Sequence, residues 1–371
     1  MRCSAIRYFF FIVSAVVVLT ACENSDQPTE RDTHQGEQKN KNPEQDAADT
    51  DRKVIAENLQ EPWAIAILDD EIHVSERNGA IVTISDGDYS RKSVQFDKNL
   101  AEQPEAGLLG IAFSDDYPET NEAIAYYSYQ NGDDYFQRVV RIEESSEQWV
   151  ETDVLLDRIP GGQFHQGGRI EIGPDHKLYI TTGDAANPEL SQDLNSLAGK
   201  ILRMNLDGSI PEDNPFDNSF VYSYGHRNPQ GLAWGPNGEF YATEHGAEAH
   251  DEINRVEAGG NYGWPAIEGD ETGEGMEPPV IHSGNETWAP SGMTYFNGNF
   301  YFAALRGEAL RKFDPMNKSE ELIVSDVGRV RDALATDDGI YIITNNTDGR
   351  GTPSENDDQL LFIPIPKSQL H

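Results

Sequence analysis

Past residue 22 the chain has no cysteine; both thiols, Cys3 and Cys22, fall in the first 22 of 371 residues. That excludes a disulfide, a thiolate metal centre and a cysteine nucleophile from the rest of the chain. Basic residues are scarce as well, 28 Lys and Arg against 65 Asp and Glu, for a formal charge of −37. A surface this acidic repels phosphate backbones and argues against nucleic acid as a partner, while suiting a neutral or cationic ligand or a salty medium. Long apolar runs are missing after residue 19, and no segment has the 3.6-residue period of a long helix. What the chain does have is 33 Gly, 20 Pro and 9% aromatics, the composition of many short strands joined by turns.

The first residues read as an address. Arg2 and Arg7 precede the apolar run Tyr8–Leu19, which is too short to span a bilayer comfortably and fits a signal-peptide core. Leu19-Thr20-Ala21-Cys22 follows and resembles a bacterial lipobox, so residues 1–21 are expected to be removed and Cys22 acylated. Residues 22–53 hold almost no large apolar side chain and are expected to form a disordered tether. The expected location is extracytoplasmic, with the membrane reached through the N-terminal lipid only.

From residue 54 to 371 one supersecondary unit recurs. An apolar run, a polar turn and a Tyr- or Phe-rich run repeat from Trp63, Leu109, Gly168, Gly231, Gly292 and Asp332, at spacings of roughly 40 to 60 residues. Each copy leads into further strand candidates, such as Ile81–Ile84 or Lys200–Met204. A sandwich would not regenerate the same strand–turn–strand pattern six times. The expected fold is all-β, a six-bladed β-propeller of four-stranded antiparallel blades. Chemistry in such folds is sought where loops from several blades converge.

Three loops carry candidate residues. In Phe164–Arg169, His165 stands at a loop–strand junction, and Asp184 returns after one strand-turn-strand excursion, where a carboxylate can fix the imidazole tautomer. The same pair also fits a surface histidine beside a turn aspartate. In Gly225–Gly231, Arg227 offers a planar cationic fork and Asn228 an amide, suited to carboxylates and quinone carbonyls or to a purely structural network. In Glu244–Asn254, Asp251 and Glu252 beside glycine-rich backbone supply hard oxygens for calcium, or a solvated acidic loop.

Taken together, the strings Gly107–Phe113, His165–Arg169, Gly199–Pro215, Gly225–Gly231, Asp251–Asn254 and Gly259–Pro265 resemble the soluble glucose and aldose sugar dehydrogenases that depend on pyrroloquinoline quinone (PQQ). The resemblance runs from about Leu59 to Ile363. It implies oxidation of an aldose at C1 to the lactone, with His165 as general base, Asp184 orienting it and Arg227 stabilising charge on the quinone. Hydride would pass to PQQ, a calcium ion would polarise the accepting carbonyl, and electrons would go to an external quinone or cytochrome. PQQ contacts are implied at Glu105, Arg227, Asn228, Arg306, Arg329 and Arg331. Metal contacts are implied at Gly246 and Ala247 through their carbonyls, at Glu252, and at Tyr262 through its carbonyl.

Phe164, His245, Ala247 and Arg306 depart from the glucose-specific pattern, which points to the broader aldose branch. Two other classes share the fold signal. One is a non-catalytic propeller that binds sugars or cell-surface partners; the other is a metal-dependent lactonase, which would need several side-chain ligands on one ion and no arginine cradle.

Overall fold

The computed structural model describes residues 52–68 and 70–365. The expected signal peptide, the Cys22 lipidation site and the tether up to residue 51 lie outside the described residues. Lys53, placed at the end of the tether by composition, is instead the first residue of the strand Lys53–Ala56.

Among the described residues the structure is β throughout, apart from the single helical turns Tyr117–Thr120 and Pro188–Ser191. Hairpin-linked strands, apolar on their buried positions and broken by Asp, Asn and Gly turns, form the sheets. Three sheets are four-strand meanders. They begin with the strands Ile170–Ile172, Pro229–Trp234 and Pro290–Phe296. A fourth contains Val330–Thr336, Gly339–Thr344 and Leu360–Pro364, and its fourth member is the N-terminal strand Lys53–Ala56, paired antiparallel to Leu360–Pro364. The two ends of the described chain therefore share one sheet. That closure needs only ladder hydrogen bonds, which suits described residues that contain no cysteine.

The remaining strands form a single eight-stranded sheet where two separate sheets were expected. It consists of two meanders, one starting at Pro62–Leu68 and one at Leu108–Phe113. Their last strands meet in a short parallel ladder, Val94 opposite Trp149 and Gln95 opposite Val150. Two residue pairs thus fuse what the repeat pattern keeps apart.

The first strands of the meanders are neighbours in space. Pro62–Leu68 touches both Leu108–Phe113 and Val330–Thr336, and Pro290–Phe296 touches both Pro229–Trp234 and Val330–Thr336. Leu108–Phe113 touches Ile170–Ile172, and the adjoining Lys177–Thr182 touches Pro229–Trp234. Between sheets the core is aromatic and fully buried, with Trp149, Tyr126, Phe300, Phe302 and Phe313 in it. Each such side chain contributes about 1.5–3 kcal/mol by leaving water.

At the centre a buried ion pair ties sheets far apart in sequence. Arg169 Nη1 donates to Asp332 Oδ2 at 2.8 Å, and the Ile65 amide donates to the same oxygen at 2.8 Å. Arg169 also donates through Nε to the Gln230 carbonyl and lies 4.4 Å over the Trp63 ring. Gly292 is required beside this knot, since a Cβ there would fall 1.6 Å from Asp332 Oδ1.

Candidate active site

Loops that precede first strands, together with loops between the second and third strands of other meanders, gather around a cavity of about 390 Å³. Glu105, His165, Arg227, Asn228, Gly246, Ala247, Arg306 and Arg329 all line it. Arg331 lines a smaller adjoining pocket that shares Glu105, His245, Leu305 and Arg350 with the first.

His165 occupies a left-handed backbone conformation, φ +62°. Its amide donates to Glu105 Oε2 at 2.9 Å. Its carbonyl is so close to Gly183 that a Cβ there would sit 1.9 Å away, which explains the glycine before Asp184. The ring Nδ1 lies 2.7 Å from Asp184 Oδ1. Asp184 is buried but its carboxylate is well supplied: the Ala186 amide reaches Oδ1 at 2.8 Å, and the Trp264 indole N–H reaches Oδ2 at 2.9 Å. A carboxylate that accepts from every neighbour fixes the proton on Nδ1 and leaves the Nε2 lone pair free for chemistry.

The cationic wall is unusual in so acidic a chain. Among the described residues Arg227, Arg306 and Arg331 have no carboxylate partner, whereas Arg329 pairs with Asp348 at 2.8 Å and Arg350 with Glu105 at 3.0 Å. Arg227 lies 5.3 Å over the Trp264 ring, and its Nε has no acceptor. Arg331 donates to Gln230 Oε1 at 2.9 Å, and burial pushes its guanidinium down to about 9. Burial likewise holds the His245 imidazole down, to about 4, and its Nε2 is buried without a partner. Asn228 Oδ1 accepts the Gly167 amide at 3.0 Å.

Behind Arg227 runs a buried polar chain. Ser223 Oγ lies 2.8 Å from His226 Nε2, His226 Nδ1 lies 2.8 Å from Glu244 Oε2, and Glu244 Oε1 accepts the Arg227 amide. His226 stacks on Tyr262 at 4.7 Å.

The metal candidates separate into two groups. Gly246 and Ala247 line the cavity, but Asp251 beside them is consumed by the loop, accepting the Gly246, Trp288 and Ala289 amides and the Thr287 hydroxyl. Glu252 and Tyr262 do not line the cavity. Glu252 accepts from the Gly269 amide and from Asn254, and burial with Glu244 nearby pushes its carboxyl up to about 8. The Tyr262 hydroxyl donates to the Arg255 carbonyl at 2.6 Å. Among the described residues no three His, Cys, Asp or Glu side chains converge as a metal site. A calcium ion here would therefore rest on backbone carbonyls and at most one or two carboxylates.

Sequence reasoning passed over Arg350, Asp348 and Trp264, and noted His245 only as a departure from a pattern. Arg350, flanked by Gly349 and Gly351, was the one with a local signal, a cation in a loop able to turn freely. Glu105, expected to contact cofactor or sugar, already uses one oxygen on His165 and the other on Arg350.

The all-β arrangement thus brings an imidazole–carboxylate pair together with guanidinium groups that have no carboxylate partner among the described residues. The chain belongs to the glucose/sorbosone dehydrogenase family, whose family model matches residues 59–353. It is similar to quinoprotein glucose dehydrogenase B of Acinetobacter calcoaceticus, 35% identical over 253 residues, which cover 59% of this chain and 53% of that protein. Aldose sugar dehydrogenase YliI of Escherichia coli is 27% identical over 80% of this chain and 90% of its own. Among solved structures, the PQQ-bound aldose sugar dehydrogenase of Streptomyces coelicolor superposes with a TM-score of 0.79 at 37% identity, covering 85% of this chain and 98% of that one.

Proposed function

We propose that this protein is a six-bladed propeller that oxidises aldose sugars at C1 to the lactone, with PQQ as cofactor and Ca²⁺ as its companion ion. The observation that carries this reading is one cavity lined both by His165, which Asp184 holds from behind, and by Arg227 and Arg306, which have no carboxylate partner among the described residues. A tricarboxylate fits that donor set: Arg227, Arg306, Arg329 and Arg331 would hold it, with Asn228 beside them. The two meanders within the eight-stranded sheet count as two blades in this reading, because only two residue pairs join them.

PQQ, when bound, supplies the acceptor for the hydride leaving C1, and calcium supplies a Lewis acid beside it. The protein's own part is proton chemistry and placement. His165, fixed as the Nδ1–H tautomer by Asp184, takes the proton of the anomeric hydroxyl through Nε2. Arg227 offers its charge where negative charge develops. Gly246 and Ala247 would hold calcium through their carbonyls, and Glu252 with Tyr262 a further ion. Electrons then pass to an external quinone or cytochrome. The lipobox-like Leu19–Cys22 supports a location outside the cytoplasm on a lipid anchor.

The test is reconstitution with PQQ and calcium, followed by dye reduction with a panel of mono- and disaccharides. The wild-type protein turns over aldoses, and His165→Ala retains PQQ but loses at least ~100-fold in turnover. Undiminished turnover in His165→Ala refutes the mechanism.

A further inference from the structure

We infer that Trp264 is a positioning residue that couples the proton-accepting pair to Arg227, holding base and guanidinium in one fixed relation. The inference rests on the reading of His165 as the base. Trp264 lies between the strands Glu252–Arg255 and Ile281–His282, in a different sheet from His165 and Asp184. Its indole N–H donates to Asp184 Oδ2 at 2.9 Å, while Oδ1 of the same carboxylate holds His165 Nδ1 at 2.7 Å. The face of the same indole lies 5.3 Å from the Arg227 guanidinium carbon. Trp264 is itself pinned: its amide donates to the Gly225 carbonyl at 2.9 Å, and its carbonyl accepts from Gln192 Nε2 at 2.8 Å. One side chain thus grips both halves of the site through two chemically different contacts.

Each contact does something no other residue does. A carboxylate held at one oxygen can rotate; the indole N–H takes the second oxygen and stops that rotation, so the imidazole keeps its direction. Arg227 has no carboxylate partner among the described residues, and its one side-chain hydrogen bond is a long 3.4 Å contact to the His245 carbonyl. The indole face, the most favourable aromatic surface for a cation, is its main support.

Two substitutions separate the contacts. Trp264→Phe keeps a ring face and removes the donor; Trp264→Leu removes both. For Trp264→Phe, kcat falls about tenfold, the size of one hydrogen bond to a charged group, while KM and PQQ affinity stay unchanged. Its acid limb in kcat/KM moves to higher pH, because Asp184 with one donor fewer draws more strongly on the imidazolium. The other titratable and charged groups that line the cavity with His165 are Glu105, Arg227, His245, Glu248, Asp251, Arg306, Arg329 and Arg350, and the substitution leaves all of them in place. For Trp264→Leu, PQQ affinity also weakens about three- to tenfold by absorbance titration, without turnover.

A readout independent of activity comes from ¹⁵N-indole NMR of the full chain, which has five tryptophans. The signal lost in Trp264→Phe is expected to shift upfield in Asp184→Asn. A Trp264→Phe variant with unaltered kcat and pH limb overturns the inference. So does one that loses activity only in step with a lowered melting temperature, or an indole signal indifferent to Asp184→Asn. Full activity in His165→Ala removes the premise instead, whereas an inactive His165→Ala beside an indifferent Trp264→Phe removes this inference alone.

Discussion

Glu105 is the most exposed point of the argument, because the structure gives it a job different from ligand contact. Its carboxylate holds the His165 amide on one oxygen and Arg350 on the other. His165 sits at φ +62°, where a residue with a side chain is strained by about 1–2 kcal/mol. A hydrogen bond from that amide to a carboxylate contributes about 1.5–3 kcal/mol, enough to offset the strain. Glu105→Ala removes the offset, and a relaxed loop carries the imidazole away from its working direction. Full expression in the rate would cost about 10- to 100-fold in kcat. Water can reach this partly exposed carboxylate's site and replace part of the bond, so about tenfold is expected. Glu105→Gln keeps an acceptor for the amide and is expected to lose only about threefold, from a weaker neutral bond. Burial opposes ionisation of Glu105, but the His165 amide, Arg350 and His245 outweigh it and hold the carboxyl below its ordinary 4.5. A depressed acid stabilises above its unfolded value and loses that effect as pH falls through the folded one. The difference between wild type and Glu105→Gln should therefore be constant from pH 6 to 9 and fade only in acid below 4.5. Steady-state dye reduction across that range is the assay. A Glu105→Ala enzyme within twofold of wild-type kcat refutes the reasoning.

The buried pair at the centre gives a stability prediction. Asp332→Ala strands Arg169 and the Ile65 amide, costs about 3–5 kcal/mol, and lowers the calorimetric melting point by roughly 5–8 °C; a shift under 2 °C would show that the knot is dispensable. His245, held down to about 4 by burial, is neutral in the folded protein and charged in the unfolded chain between that value and 6.5. Stability is thus lost as pH falls from 6.5 towards 4, and His245→Gln should flatten part of that loss, His73 supplying the rest because burial holds it down to about 4 as well. Chelation is expected to abolish turnover reversibly, and full activity after exhaustive chelation removes calcium from the mechanism. With Glu252 protonated up to about 8, calcium competes with a proton there. Calcium-dependent stabilisation should therefore strengthen as pH rises towards 8 and shrink in Glu252→Gln.

Much of this was legible before any coordinates, and the failures have a common cause. Strand and turn signals are local, so the repeats beginning at Trp63, Leu109, Gly168, Gly231, Gly292 and Asp332 announced the sheets. The parallel ladder of Val94–Gln95 with Trp149–Val150 could not be read, because it joins the last strands of two meanders more than fifty residues apart. His165 and Asp184 stood out as a spaced pair. The indole donor to Asp184 lies 80 residues further on, and Arg350 meets Glu105 across 245. Asp251 was open between a calcium oxygen and a solvated acidic loop, because acidity in a glycine-rich loop is ambiguous; in the structure its oxygens accept the loop's own amides. Composition shows that an acid is present, whereas its task depends on which amides the chain has left unpaired.

That same accounting gives the cavity its meaning. A chain carrying −37 has acids to spare, yet among the described residues Arg227, Arg306 and Arg331, around one cavity and its adjoining pocket, have no carboxylate ion-pair partner. Desolvating an unpaired cation is costly, and the fall of Arg331 to about 9 registers that cost. Arg169 is bonded to Asp332 in the same ring, whereas the acids near Arg331, Asp348 and Glu105, act on it only through space, each being bonded to another arginine. That arrangement supports the proposed binding of an anion from outside, whose charge would offset the cost of keeping these cations without a directly bonded carboxylate.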